Sequence, residues 1–142
     1  SNGNLRGIDF SGANLDRANL SKANLIGANL SGADLSGANL RGADLRNADL
    51  RNAELRNADL RGAKLKRASL STADLRDADL SDANMIRTNL TNAEMTGASL
   101  MGTNFAHANL EGVTLTGACY NSDTKWPEGF NPVEAGAIET ED

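Results

Sequence analysis

Ala33-Asp34-Leu35-Ser36-Gly37-Ala38-Asn39-Leu40-Arg41-Gly42-Ala43-Asp44-Leu45-Arg46 states one unit nearly three times: a small residue, Asp or Asn, Leu, a polar residue, then Gly. The unit continues in both directions from this stretch. All 19 Leu of the chain fall on residue numbers divisible by five, and Phe10, Met85, Met95, Phe105 and Tyr120 fill the other such positions up to 120. So 24 successive positions, Leu5 through Tyr120, each carry one large apolar side chain. Two residues earlier Ala stands at 19 of the 24 places, with Gly3, Ile8, Thr88, Thr103 and Val113 at the rest. Two residues later Gly stands in 11 repeats, and Asn47, Asn52, Asn57 and Asn92 in four more.

A period of five fits neither regular backbone. On an α-helix five residues advance the face by about 140°, which would scatter the Leu positions around the axis. In a straight strand an odd spacing sends successive Leu to opposite faces. A chain that turns every five residues keeps the large residue and the small one before it on the inside. Gly or Asn just past the centre of each side tolerates the positive φ that tight turns require.

The run from Ala33 to Arg46 resembles the pentapeptide-repeat family, and the resemblance covers about residues 3 to 122 without an insertion. It implies an all-β fold, a right-handed quadrilateral β-helix of twenty-residue coils with Leu/Phe and Ala ladders inside. Twenty-four sides then make six coils, which at strand spacing give a rod roughly 29 Å long. The segment Asn121 to Pro132 is similar to C-terminal segments of bacterial members, especially cyanobacterial ones. Residues 1–120 are expected to form the repeat domain, and 121–142 a C-terminal cap and acidic tail.

Coil stacks end in unpaired backbone and exposed core, so a terminal segment should cover them. Trp126, Phe130, Val133 and Ile138 are read as a lid over the last coil. Asn131-Pro132-Val133-Glu134 has the form of a helix start, with Asn as N-cap and Pro at the first position, and predicts a short cap helix. Glu139 to Asp142 is expected to fray. The N-terminus shows no comparable lid, and Ser1-Asn2 is compatible with an appended remnant, which leaves open whether natural residues precede it.

Composition bears on the function class. The chain has 142 residues, 14 Lys plus Arg against 19 Asp plus Glu, one His and one Cys. No apolar run approaches the roughly 20 residues that span a bilayer. The compartment stays open between cytoplasm and, if a leader was removed, periplasm or thylakoid lumen. A Leu/Ala-filled rod offers no concave pocket with converging ionisable groups, so an enzyme is not expected and no cofactor is implied. His107 lies in an outward register, and Cys119 beside Tyr120 reads as an inert thiol. Residues twenty apart share a side, which stacks Asp34, Glu54, Asp74 and Glu94 in an acidic ladder. With Arg56 and Arg76 two residues beyond two of them, a salt-bridged surface is the favoured reading over a cation site.

Some family members are understood to modulate DNA gyrase by imitating duplex DNA. A 29 Å mimic of the duplex would carry on the order of 17 negative charges. Residues 1–120 hold 13 acids and 13 bases, so the net charge of -5 arises entirely after Tyr120. The resemblance thus leaves gyrase mimicry as the weaker alternative. One side is asymmetric: starting at residue 3 and recurring every twenty, it bears Arg6, Arg46, Lys64, Lys66, Arg67 and Arg87 against Asp44, with His107 beyond. Arg46, Lys64, Lys66, Arg67 and Arg87 are the candidate partner-binding residues. The expected partner is an acidic protein surface rather than nucleic acid, since no exposed aromatic interleaves with these cations. The chain is expected as a monomer or weak dimer. Ile26 and Ile86 fall outward on this side, and exposed Ile86 and Met101 are candidate sticky spots.

Overall fold

Each five-residue unit makes one side and one corner. At the first corner the N–H of Ile8 donates to the Leu5 carbonyl at 3.1 Å, and Gly7 between them sits at φ 67°. A positive φ at the third turn residue separates type II turns from type I and favours Gly or Asn there. The same bond recurs from Ala13 to Phe10, Ala18 to Leu15 and Ala23 to Leu20, and four corners return the chain to its starting side. The structure is a computed structural model and describes residues 3–141; Ser1, Asn2 and Asp142 lie outside the described residues.

Coils stack in parallel with a register of twenty. Polar residues pair from Asn4 against Asn24 through to Ser99 against Cys119. At the first rung the Leu5 N–H donates to the Asn24 carbonyl at 2.7 Å, the Asn24 N–H to the Gly3 carbonyl at 2.8 Å, and the Gly7 N–H to the Ile26 carbonyl at 2.9 Å. Most backbone polar groups of the coils are thereby satisfied by neighbouring coils, which a rod without long strands requires. The result is a four-sided parallel β-helix.

The interior is filled as the pattern predicts. Leu25 through Leu75 are no more than 1% exposed, and the alanines from Ala23 to Ala83 are equally enclosed. Thr88 and Thr103 stand in the Ala register and bring hydroxyls into the core. Each is satisfied locally: Thr88 Oγ1 donates to the Met85 carbonyl and Thr103 Oγ1 to the Leu80 carbonyl, both at 2.8 Å. At the other end Leu5, Ile8, Phe10 and Leu15 are only partly buried.

The C-terminal segment stacks on the last coil after a change of register. Asn104 pairs with Lys125, a spacing of 21. The extra residue breaks the rung at Gly102, and its N–H turns to the Asn121 side-chain oxygen at 3.0 Å. Thr124 then takes the small place, with Oγ1 donating to the Leu100 carbonyl at 2.7 Å. Trp126 takes the large place and stacks on Phe105, ring centroids 5.0 Å apart. Phe130 stacks on Trp126 at 5.3 Å, and Tyr120 meets its edge at 5.4 Å. This aromatic pile is the lid.

Three terminal expectations are corrected. Asn131 does cap, its side-chain oxygen accepting from the N–H groups of Val133 and Glu134 at 3.1 and 3.2 Å. No cap helix follows, however: after one turn Gly136 swings to φ 99°, where a Cβ would meet Thr116 Cα at 3.1 Å. The chain leaves the turn there because its backbone docks on the coil below. β1 (Cys119–Tyr120) pairs in parallel with β2 (Ile138–Glu139). Glu139 and Thr140 are thus pinned rather than frayed, with the Thr140 N–H on the Tyr120 carbonyl at 2.8 Å. Docking in this register buries Ala137 and turns Ile138 outward, while Val133 rides on the exposed turn. At 53% and 62% exposure, neither belongs to the lid.

Because Leu60 has neighbouring coils above and below, Leu60→Ala should lower the unfolding free energy by about 2–5 kcal/mol. Leu5→Ala, at the half-covered end, should cost clearly less. Denaturant titration of both variants reads the difference; equal losses would contradict the burial gradient.

Candidate functional site

The outward positions carry the chemistry, and a recurrent clamp settles most of their charge. Where Asp in the polar place is followed two residues later by Arg, the guanidinium folds back on the carboxylate with two bonds. Arg46 reaches Asp44 at 2.8 and 2.6 Å, Arg51 reaches Asp49 at 2.9 and 2.7 Å, and Arg61 reaches Asp59 at 2.9 and 2.7 Å. Each carboxylate also accepts the backbone N–H of its arginine, the local Asx turn that a short acidic side chain favours. The arginine hydrogen bonds hold Asp44, Asp49 and Asp59 below the usual carboxylate range, against a smaller opposing effect of burial. The sequence contains this signal as the repeated Asp-Leu-Arg; the ladder reading singles out Arg76, in that motif, and Arg56, which follows Glu54 and reaches Asp74 instead.

The acidic ladder forms as expected. Asp34, Glu54, Asp74 and Glu94 are successive parallel neighbours. Arg56 Nε and Arg76 Nη2 converge on Asp74 Oδ2 at 2.8 and 2.6 Å, which leaves Glu54 and Glu94 without an ion pair among the described residues. No group of three or more His, Cys, Asp or Glu among those residues is arranged to hold a metal ion.

The basic side is brought together on one flank of the rod. Lys64 pairs through its backbone with Asp44 below and Asn84 above. Arg6, Arg46, Lys64, Lys66, Arg67, Arg87 and His107 are all exposed. They are not equivalent, because Arg46 is clamped on Asp44 and Lys64 adds its attraction to the same carboxylate. Lys66, Arg67 and Arg87 form no ion pair among the described residues. Ile86 on this side is half-buried, as is Met101, whose sulfur accepts the Thr140 hydroxyl at 3.3 Å; the exposed sticky spots read from the sequence are therefore absent.

Left-handed corners that carry side chains occur on all four sides, Lys22, Thr72, Asp77 and Asp82 among them, and this side has its share. The corner place on this side holds Gly7, Gly27 and Asn47 in the first three coils, then Arg67, Arg87 and His107 at φ 63, 59 and 60°. Non-glycine residues pay steric energy there, about 1–2 kcal/mol each. Like charges stacked one coil apart add repulsion.

The repeat pattern, the coil register and this surface can now be set beside known proteins. The family model described as pentapeptide repeats matches residues 3–42, 38–77 and 78–117. The chain belongs to the pentapeptide-repeat family. Its fold is accordingly the right-handed quadrilateral β-helix. Among solved structures, this pentapeptide-repeat protein is similar to HetL, a pentapeptide-repeat protein involved in heterocyst differentiation regulation from the cyanobacterium Nostoc. The two share 24% identity over 99% of this chain and 86% of that one, with a TM-score of 0.64. It is 34% identical to the Nostoc pentapeptide-repeat protein alr5209, over 93% and 84% of the two chains, with a TM-score of 0.39. QnrB1, a plasmid-mediated fluoroquinolone resistance protein, shares 22% identity over 96% and 78%, with a TM-score of 0.40. A comparison with curated proteins gives no significant match. No helix among the described residues is long and apolar enough to cross a membrane.

Two measurements test the surface energetics. Arg67→Gly and Arg87→Gly should each raise the unfolding free energy by about 0.5–1 kcal/mol, steric relief exceeding the greater freedom of glycine in the unfolded chain. A loss of stability would refute the strain. Carboxylates held below their free value of 3.8 contribute stability that is present above that pH and lost as pH falls through the folded values. Asp49→Asn with Asp59→Asn should therefore flatten the decline in melting temperature below about pH 4. An unchanged acid limb would remove the clamps from the stability of the rod.

Proposed function

We propose that this pentapeptide-repeat protein is a non-enzymatic binding scaffold that docks an acidic protein surface along the side bearing Lys64, Lys66, Arg67 and Arg87. The observation that carries the reading is a contrast. Arg46, Arg51, Arg56, Arg61 and Arg76 are held on carboxylates of the same chain; of the repeat cations without an ion pair among the described residues, Arg6, Lys64, Lys66, Arg67 and Arg87 share one flank, and only Arg17, Lys22 and Arg41 lie on other sides. A rigid flank with uncompensated charge favours encounter with, and orientation of, a partner of opposite sign.

Direct binding of nucleic acid is the less favoured use of this flank, since no exposed aromatic lies among the cations to stack on bases. Imitation of duplex DNA toward gyrase is the alternative for the whole rod. The exact balance of 13 acids and 13 bases through Tyr120 weighs against it. No catalytic role is part of this reading, and His107 stands exposed at a corner of the basic side.

The test is affinity capture on the full chain beside a Lys66→Glu/Arg67→Glu variant of equal melting temperature. A partner held by the unmodified chain should bind the variant at least about tenfold more weakly, and binding should fall with added salt. Equal binding by the two proteins would sink the proposal, and inhibition of gyrase supercoiling by the free rod would favour the alternative.

A further inference from the structure

The flank opposite the basic one carries its electrostatic complement at the same height. The two flanks are separated by two corners of a four-cornered coil, so they face away from each other. On the acidic flank the ladder Asp34, Glu54, Asp74, Glu94 advances one coil at a time, with Asp77 exposed at the adjoining corner. Residues on that flank number six acids against Asp74's two partners Arg56 and Arg76 and a third base, Arg17, a net of -3. On the basic flank the six cations against Asp44 give +5. Uncompensated charges coincide in level in two coils. Lys64, Lys66 and Arg67 begin the coil that continues through Asp77, its neighbour Asp74 being held by Arg56 and Arg76, and Arg87 lies in the coil that continues through Glu94. Both ladders share one spacing, because the backbone rungs set it at about 4.8 Å for every side of the rod.

These facts specify a partner without reference to any other molecule. If one rod is laid beside another in the same orientation and with no stagger, free cations of one flank meet free carboxylates of the next in these two coils. We propose that the acidic surface docked by the basic flank is the acidic flank of a second copy of this chain. The proposal rests on the function proposed above and names its partner. Each copy offers one flank of each kind, so the contact is heterologous and translational; it does not close on itself but extends as an open row. Exposed pairs are individually weak and screened within a Debye length of about 10 Å at 0.1 M salt. The excess acid after Tyr120 makes like copies repel. Rows should therefore grow only at low ionic strength and high protein concentration.

Sedimentation of the full chain at about 20 mM and about 500 mM salt tests this directly. At low salt the weight-average mass should rise with concentration to at least twice that of the monomer, and at high salt it should return to the monomer. Two charge-reversed variants complete the test, each checked for an unchanged melting profile. One carries Lys64→Glu, Lys66→Glu, Arg67→Glu and Arg87→Glu; the other carries Asp77→Lys and Glu94→Lys. Each alone should remain monomeric at low salt, while an equimolar mixture should associate again, because the unreversed basic flank of one then meets the unreversed acidic flank of the other. A chain that stays monomeric at low salt, or association that survives either reversal alone or high salt, overturns the proposal. Should the chain stay monomeric while its capture of another protein still depends on Lys66 and Arg67, the second copy is excluded and the acidic-partner reading stands.

Discussion

The backbone must turn a corner every fifth residue, and everything else in the molecule follows from meeting that demand. A left-handed residue at each corner makes the turn, and the short bond across it, such as Ile8 N–H to the Leu5 carbonyl, holds it closed. Three residues remain between the turn residues of successive corners. That is enough for one polar rung to the coils above and below, and for one large side chain to point inward. No side is long enough to pair stably by itself. Cohesion comes from repetition: each rung is supported by its neighbours in the stack and by the Leu and Ala ladders beneath.

Since the inside is committed, variation is confined to the two outward places and the corner residue of each side. The chain uses them unevenly. Over much of the surface Asp and Arg two residues apart neutralise each other within a single side, which costs no long-range arrangement. Lys66 follows Lys64 instead, and Arg67 and Arg87 stand where earlier coils have Gly or Asn. The concentration of like charge is what sets this flank apart, since left-handed side chains such as Arg17, Lys22, Thr72, Asp77 and Asp82 occur on the other sides as well.

How much of this was legible in the sequence depended on whether a feature repeats. The period of Leu35, Leu40 and Leu45 and the Ala two places before each determine which atoms are inside, and the structure agrees at every buried position of the middle coils. The acidic ladder was also legible, being a consequence of the twenty-residue register. What repetition does not encode was missed. The slip that sets Lys125 beside Asn104 needs one extra residue whose effect is visible only when Asn121 is seen to replace a lost rung. Val133 and Ile138 have the composition of a lid, yet docking of β2 on β1 in one particular register leaves both outside. The Asn131 cap was read correctly, but the helix it would begin is cut short by Gly136 closing on Thr116. The likeness in fold to HetL concerns the rod and not these terminal details.

The twenty-residue register also fixes what changes of length this architecture tolerates. Removal of a whole coil shortens the rod and leaves every remaining side where it was. Removal of a single five-residue unit would preserve every inward Leu, every corner and the hydrogen-bonding capacity of the stack, while rotating all that follows by a quarter turn. The flank that carries Lys64 through Arg87 would then be split between adjoining sides. Selection for stability alone is indifferent between multiples of five, whereas selection on a charged flank counts in twenties. In a molecule of this kind, the lengths by which coils are gained or lost are therefore themselves a record of whether its sides are in use.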